Sequence, residues 1–162
     1  MDDLKNPFWA AGQARATREV GKILAKRHQV TVYSSKYPGY KDYQEDGITY
    51  KHIGVVSKSP KLTNLFYILS VPFTVSKVDS DIIVENFNAP ISTSFAPLFT
   101  KIPVMGLPTM FAAEEFAKKY HLPFDWIEKF GCRFYKYFFD ITAVAHKIGP
   151  YAKAISLHKY TS

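Results

Sequence analysis

The sequence has little of what marks several large classes of protein. Cys132 is its only cysteine, which excludes an internal disulfide framework and is typical of a reducing compartment. The first residues are acidic and no apolar core follows them, so the sequence predicts no signal peptide. No apolar run reaches the roughly 20 residues that a membrane-spanning helix needs. We therefore expect a cytoplasmic protein.

Motifs for cofactors and metals are also scarce. The sequence contains neither G-x-G-x-x-G nor G-x-x-x-x-G-K-[ST], so no dinucleotide or P-loop site is indicated. Its histidines include no i, i+4 pair, which argues against zinc. Asp79 and Asp81 form a D-x-D, but they precede a predicted strand and so lie at the edge opposite the expected cleft. We expect no metal and no resident cofactor.

The bulk composition is that of a basic, aromatic-rich domain. Apolar residues make up 47% of the 162 residues, which is enough for one core, and we predict a single domain over residues 1–162. A net charge of +7 favours an anionic partner, such as a nucleotide sugar, lipid head groups or nucleic acid, although a merely soluble basic surface is the alternative. Because the basic residues are spread out and no nucleic-acid motif is present, we do not expect nucleic acid.

The first elements indicate half of a βαβ unit. A turn at Asn6-Pro7 precedes an amphipathic helix whose Thr17, Val20 and Leu24 fall at i, i+3, i+7 and predict its buried stripe. The β-branched strand from Val30 to Tyr33 follows. No apolar strand precedes the turn, so either the first strand is missing or another segment takes its place.

Further strands alternate with helices along the chain. In residues 48–53, which follow the Asp46-Gly47 turn, apolar and polar side chains alternate and predict an edge strand. Short apolar runs at 82–87, 103–107 and 141–145 predict buried parallel strands. Helices are predicted at 110–120, 124–139 and 148–158. The pattern indicates an α/β domain with a mostly parallel sheet.

The most apolar region, residues 60–78, allows two interpretations. Pro72 interrupts it, so it predicts a buried, kinked helix. Alternatively, the flanking Lys58, Lys61 and Lys77 favour a helix that lies on an anionic membrane surface, which would place the protein peripherally at the inner face of the membrane.

Polar residues follow the predicted strands at the edge where α/β sheets bind ligands. Glu85, Asn86 and Asn88 end one strand, Thr109 follows the next, and His146 follows the last. They either border a cleft or only cap the following turns and helices.

The order and spacing of these features resemble the amino-terminal domain of GT-B glycosyltransferases, and in particular glycosyltransferase family 4. The likeness extends over nearly the whole chain. It is carried by Asn6-Pro7 to Gly12, Glu19, Leu24 to His28, Val30 to Val32, Asp46 to Ile48, Asp81 to Glu85, Ala143 to Ala145 and Tyr151 to Lys153.

The resemblance implies a Rossmann-like open sheet with helices on both faces, which is one half of a GT-B fold, with its first strand missing. It implies that Ala11, Gly12 and Gln13 form a loop that approaches the diphosphate of a nucleotide sugar through backbone amides. It also implies a cleft for a glycan or lipid-linked acceptor. That cleft would be bordered by Glu85, Asn86, Asn88, Thr109 and His146.

The sequence also departs from the family in ways that bear on activity. The family's glycine pair is usually followed by Ala-Glu, whereas this chain has Ala11-Gly12-Gln13-Ala14, so one glycine and the acidic residue are absent. Thr109 takes the position of the family's histidine. A threonine does not provide the same proton chemistry. The family's donor-binding domain has no counterpart in these residues, so we expect no sugar transfer without such a domain, in cis or in trans. The rival hypotheses are a stand-alone basic module that binds a membrane surface, a protein or nucleic acid, and a small flavodoxin-like domain.

Overall fold

The computed structural model of the chain describes residues 3–8, 12–89, 96–111 and 141–142. The chain divides into two compact units, residues 1–74 and 75–162. The described part is a mixed α/β structure with two helices and two small sheets built mainly from parallel strands. The helices are α1 (Gly12–Leu24) and α2 (Pro60–Val75), and Ala96–Leu98 forms a 3₁₀ turn. The strands are β1 (Val30–Ser35), β2 (Tyr43–Glu45), β3 (Ile48–Ile53), β4 (Ile83–Ala89), β5 (Val104–Phe111) and β6 (Ile141–Thr142).

The sheet of the first unit has the strand order β1-β3-β2. β1 and β3 are parallel, with Val30 opposite Ile48, and β2 pairs antiparallel with β3. Asp46 and Gly47 join β2 to β3 with positive φ angles of 54° and 79°, which is the backbone that a two-residue type I′ hairpin needs. The predicted turn is confirmed. The prediction of β3 as an edge strand is wrong, because the three-residue β2 was too short to be recognised by periodicity.

Helix α1 packs on this sheet through small residues. Ala14 is fully buried, and a Cβ added to Gly21 would lie 2.6 Å from Ile48 Cδ1 of β3. Val20 and Leu24, which the sequence places on the buried stripe, are exposed. That prediction is wrong because the helix approaches the sheet through its smallest side chains, which leaves no room there for branched ones.

Helix α2 packs against the same unit through one side only. Thr63 is buried, and the Tyr67 hydroxyl donates a hydrogen bond to the backbone oxygen of Tyr33 in β1 at 3.3 Å. Thr63 Oγ1 accepts from the backbone N–H of Ser57 at 3.0 Å, which fixes the start of the helix. The prediction of a buried helix is wrong for the rest of this helix surface. Its large apolar residues are exposed: Leu62, Leu65, Phe66, Leu69 and Phe73.

The sheet of the second unit is parallel throughout, with the order β4-β5-β6. This agrees with the predicted parallel strands. Strand β5 extends to Phe111, so the expected helix does not begin at Met110, where the chain is still paired with β4. The remainder of that predicted helix and the two later ones lie outside the described residues.

Candidate functional site

The carboxyl ends of β4 and β5 carry the most distinctive backbone feature of the second unit. Phe87 is opposite Pro108, whereas the next residue, Asn88, is opposite Met110. Thr109 is therefore an extra residue in β5, and the ladder has a β-bulge at this point. Bulges are common next to active sites, where they change the direction of a strand.

The bulge brings two of the predicted cleft residues together. Asn88 and Thr109 come from segments that are separated along the chain, and the register places them beside each other near the ends of adjacent parallel strands. Both residues belong to paired strands, so no loop is needed to bring them together. The structure thus supports a shared location for these two residues at the sheet edge.

Glu85 and Asn86 lie further back than the sequence suggests. Strand β4 runs to Ala89, so both residues are inside the strand, opposite Gly106 and Leu107. Both are partly buried. Since successive residues of a strand point to opposite faces, Glu85 and Asn86 do not face the same side of the sheet. His146, the last predicted cleft residue, lies outside the described residues.

The amino terminus of α1 is the other predicted site, and it belongs to the first unit. Ala11 lies outside the described residues, and the helix begins at Gly12. A Cβ added to Gly12 would meet no atom within 4 Å, so the space there is open. Gln13 Nε2 is buried and has no hydrogen-bond partner among the described residues. The first turn of α1 contains no acidic residue, and the positive end of the helix dipole favours an anion there.

A buried cluster that the sequence did not predict lies near the carboxyl ends of β1 and β3. His52 Nε2 is 2.9 Å from Asp3 Oδ2, and His52 Nδ1 is 3.0 Å from Asp42 Oδ1. The backbone N–H of His52 also donates to Asp42 Oδ1 at 2.9 Å. The Tyr43 hydroxyl donates to Asp3 Oδ1 at 2.6 Å, and the backbone N–H of Lys5 donates to the same oxygen at 2.8 Å.

These contacts shift the pKa values of the cluster. Burial by itself would raise the pKa of Asp3, but the hydrogen bonds from Tyr43, His52 and the backbone of Lys5 lower it on balance. The pKa of Asp42 is also lowered, because the bonds from His52 outweigh its desolvation. Burial and the nearby Asp3 carboxylate raise the pKa of Tyr37 to about 12. The cluster therefore holds ionised carboxylates and neutral phenols at physiological pH.

The geometry makes the cluster a clamp and not a catalytic centre. Both ring nitrogens of His52 face carboxylates and its side chain is fully buried, so it has no free nitrogen to offer a substrate. The clamp ties Asp3 to β3, and Asn6 Nδ2 donates to Ser35 Oγ of β1 at 3.2 Å. Within the described part of the chain, a polar segment and not a strand precedes α1. The alternation of β3 places His52 on the same face as Ile48 and Tyr50, which are buried, and this alternation is the sequence signal that could have revealed His52.

Several further findings bear on function. No group of three or more His, Cys, Asp or Glu side chains within the described ranges is placed to hold a metal ion. Neither described helix has the length and hydropathy to cross a bilayer. Comparisons with protein-family models, with curated proteins and with solved structures find no match to this chain.

Proposed function

We propose that the chain is the acceptor-binding half of a sugar-nucleotide-dependent glycosyltransferase with a GT-B fold, similar to family 4. The acceptor would be a glycan or a lipid-linked sugar. In this proposal the diphosphate of the donor approaches the start of α1, and the acceptor lies along the carboxyl ends of β4 and β5. The chain binds substrate, and a separate donor-binding domain completes the reaction.

The strand order within each sheet supports a Rossmann-like fold. Doubly wound sheets have the order 3-2-1-4-5-6 with parallel strands. Within the first unit β1 and β3 are parallel neighbours, and within the second unit β4, β5 and β6 are parallel neighbours, as strands of such a sheet would be. The antiparallel β2 is an addition beside β3.

The observation that carries the proposal is the bulge in β5. In open parallel sheets, ligands bind outside the carboxyl ends of the strands. The bulge sets Thr109 next to Asn88 at such an edge, and both residue types can hydrogen-bond the hydroxyl groups of a sugar. A pair of small polar residues suits a neutral, hydroxyl-rich acceptor better than an ionic one.

The start of α1 supports the donor side of the proposal. A phosphate oxygen at this position would accept hydrogen bonds from the first backbone amides and from Gln13 Nε2, whose hydrogen-bonding capacity is unused. Gly12 leaves the open space that a close phosphate approach requires.

A glycan array tests the acceptor assignment directly. The purified chain should bind a subset of immobilised glycans, and Asn88→Leu or Thr109→Val should weaken that binding about tenfold, since each removes a hydrogen bond of ~1.4 kcal/mol. Thr31→Val, which alters an exposed threonine of β1, is the matched control and should bind like the original chain. Binding to no glycan, or equal binding by all variants, would contradict the assignment.

Two further measurements separate the proposal from its rivals. With UDP-glucose or GDP-mannose and a bound glycan, the chain alone should transfer no sugar, and measurable transfer would contradict its assignment as an acceptor half. A titration with single-stranded RNA and duplex DNA at low and high salt should show no specific binding. Strong, salt-dependent binding would instead favour the stand-alone basic module.

A further inference from the structure

Helix α2 presents a continuous apolar stripe to solvent. Leu62, Leu65, Phe66 and Leu69 fall at i, i+3, i+4 and i+7, so they share one face of the helix. The leucines are 47%, 48% and 57% exposed, in chain order. Thr63, beside this stripe on the helix, is buried. Large apolar side chains that adjoin one another and are exposed in this way indicate an interaction surface.

The apolar surface continues beyond the helix itself. Val55 and Val56, in the loop that leads to α2, are also exposed. Gly54 brings this loop close to the helix: a Cβ added to it would lie 3.0 Å from the backbone N of Tyr67. The loop and the helix are therefore held together as one feature of the first unit.

The charges around the stripe have a single sign. Lys58, Lys61 and Lys77 are exposed and flank the apolar residues, and none of the three has an ion pair within the described part of the chain. From Gly47 to Val78 the sequence contains no acidic residue. A protein partner with an apolar groove would not require lysines around the stripe. An anionic lipid bilayer fits both features, because its head groups attract the lysines and its acyl chains contact the leucines.

From this pattern we infer that α2 docks in the plane of an anionic lipid bilayer. The leucines and Phe66 enter the boundary between head groups and acyl chains, and the lysines contact the lipid phosphates. The helix lies on the membrane and does not cross it, in keeping with its 16 residues and with Pro72 inside it. Docking requires no sugar chemistry, and so it is independent of the proposed glycosyltransferase function.

Vesicle sedimentation tests the docking surface. The full chain should sediment with vesicles of phosphatidylcholine and phosphatidylglycerol, more weakly with phosphatidylcholine alone, and less as salt increases. Lys61→Gln should weaken partitioning about fivefold, the effect expected for one lysine near an anionic surface. The double variant Leu65→Glu/Leu69→Glu should weaken it more than tenfold, since it removes two buried aliphatic groups and adds repelling charge.

Helix α1 supplies the matched control. Val20 and Ile23 are 56% and 65% exposed in the same unit, so Val20→Glu/Ile23→Glu makes the same chemical change at comparable exposure. This variant should bind vesicles like the original chain. The inference is overturned if the chain does not bind anionic vesicles, or if both double variants lose vesicle binding to the same extent. It is also overturned if sedimentation velocity shows a dimer that Leu65→Glu/Leu69→Glu converts to monomer, because the stripe would then bind a second copy.

Discussion

Asp3 and Asp42 are each held by several donors around one histidine. Asp3 accepts from Tyr43 and from the backbone of Lys5, and Asp42 accepts from the backbone of His52. Each hydrogen bond favours the charged carboxylate over its protonated form. Their pKa values are lowered in the folded state despite burial, so proton binding by these groups opposes folding.

This cluster makes stability depend on pH in the acidic range. A carboxylate with a lowered pKa contributes stability above its unfolded pKa of about 3.9, and that stability is lost as pH falls through the folded pKa. The free energy of unfolding, from urea titrations at a series of pH values, should therefore fall as pH decreases below about 4. Asp3→Asn should lower the free energy of unfolding by about 1–3 kcal/mol at neutral pH. The difference in stability between this variant and the original chain should become smaller at low pH.

An exposed carboxylate provides the comparison. Asp79→Asn removes the same charge from an exposed residue that is not one of the partners in the cluster's hydrogen bonds. The free energy of unfolding of Asp79→Asn should fall at acidic pH as much as that of the original chain. If Asp3→Asn shows the same pH dependence as Asp79→Asn, Asp3 is not a source of that loss.

At the scale of elements, both helices pack through positions where large side chains are excluded. Gly21 of α1 contacts Ile48, and Gly54 approaches the backbone of α2. Arg18 then ties α1 to the β2–β3 turn, with its guanidinium 2.7 Å from Glu45 and 2.8 Å from Asp46. Because these ion pairs are partly exposed, we attribute more of the packing to the close approaches than to the charges.

The loop before α2 should be sensitive to a single methyl group. Gly54 has a φ of +91°, and a Cβ there would crowd the backbone at Tyr67. Gly39 has a φ of +78° but open space around it. Thermal and urea unfolding should show a loss of about 1 kcal/mol for Gly39→Ala from its backbone conformation alone. Gly54→Ala should lose about 2–3 kcal/mol, because overpacking is added. Equal losses would mean that the close approach does not contribute to stability.

At the scale of the whole molecule, the chain joins two compact units at residues 74–75. Residues 76–82 after α2 form turns and irregular structure, and Lys77 is exposed there. Protease sites of this kind are cut early, whereas sites in paired strands are protected. The junction is therefore the place to ask whether the units form one domain.

Limited trypsin digestion should cut after Lys77, as at other exposed sites outside the helices and strands. Lys77→Gln should remove that cut, and Lys51, although exposed, should stay uncut because it lies in β3 between two strands. If the units form the single Rossmann-like domain that we propose, the two fragments should stay associated in gel filtration. Separation of the fragments would contradict a single domain.

The sequence alone predicted the structural features that depend on residues close together along the chain. The turn at Asp46-Gly47 was predictable because its backbone needs positive φ angles that few residues tolerate. The helical nature of α1 and α2 and the parallel strands of the second sheet followed from local patterns. Asn88 and Thr109 were predicted as site residues from their positions at the ends of strands, which does not require knowing how those strands pair.

Only the tertiary structure decided how these elements meet. The register between β4 and β5 created the bulge at Thr109, and register depends on a partner far away in the sequence. The buried face of α1 was chosen by small residues at Ala14 and Gly21, not by its branched ones, because close packing rewards fit as well as hydrophobicity. The sequence indicated that α2 is apolar, but its exposure could be known only once the rest of its unit was in place.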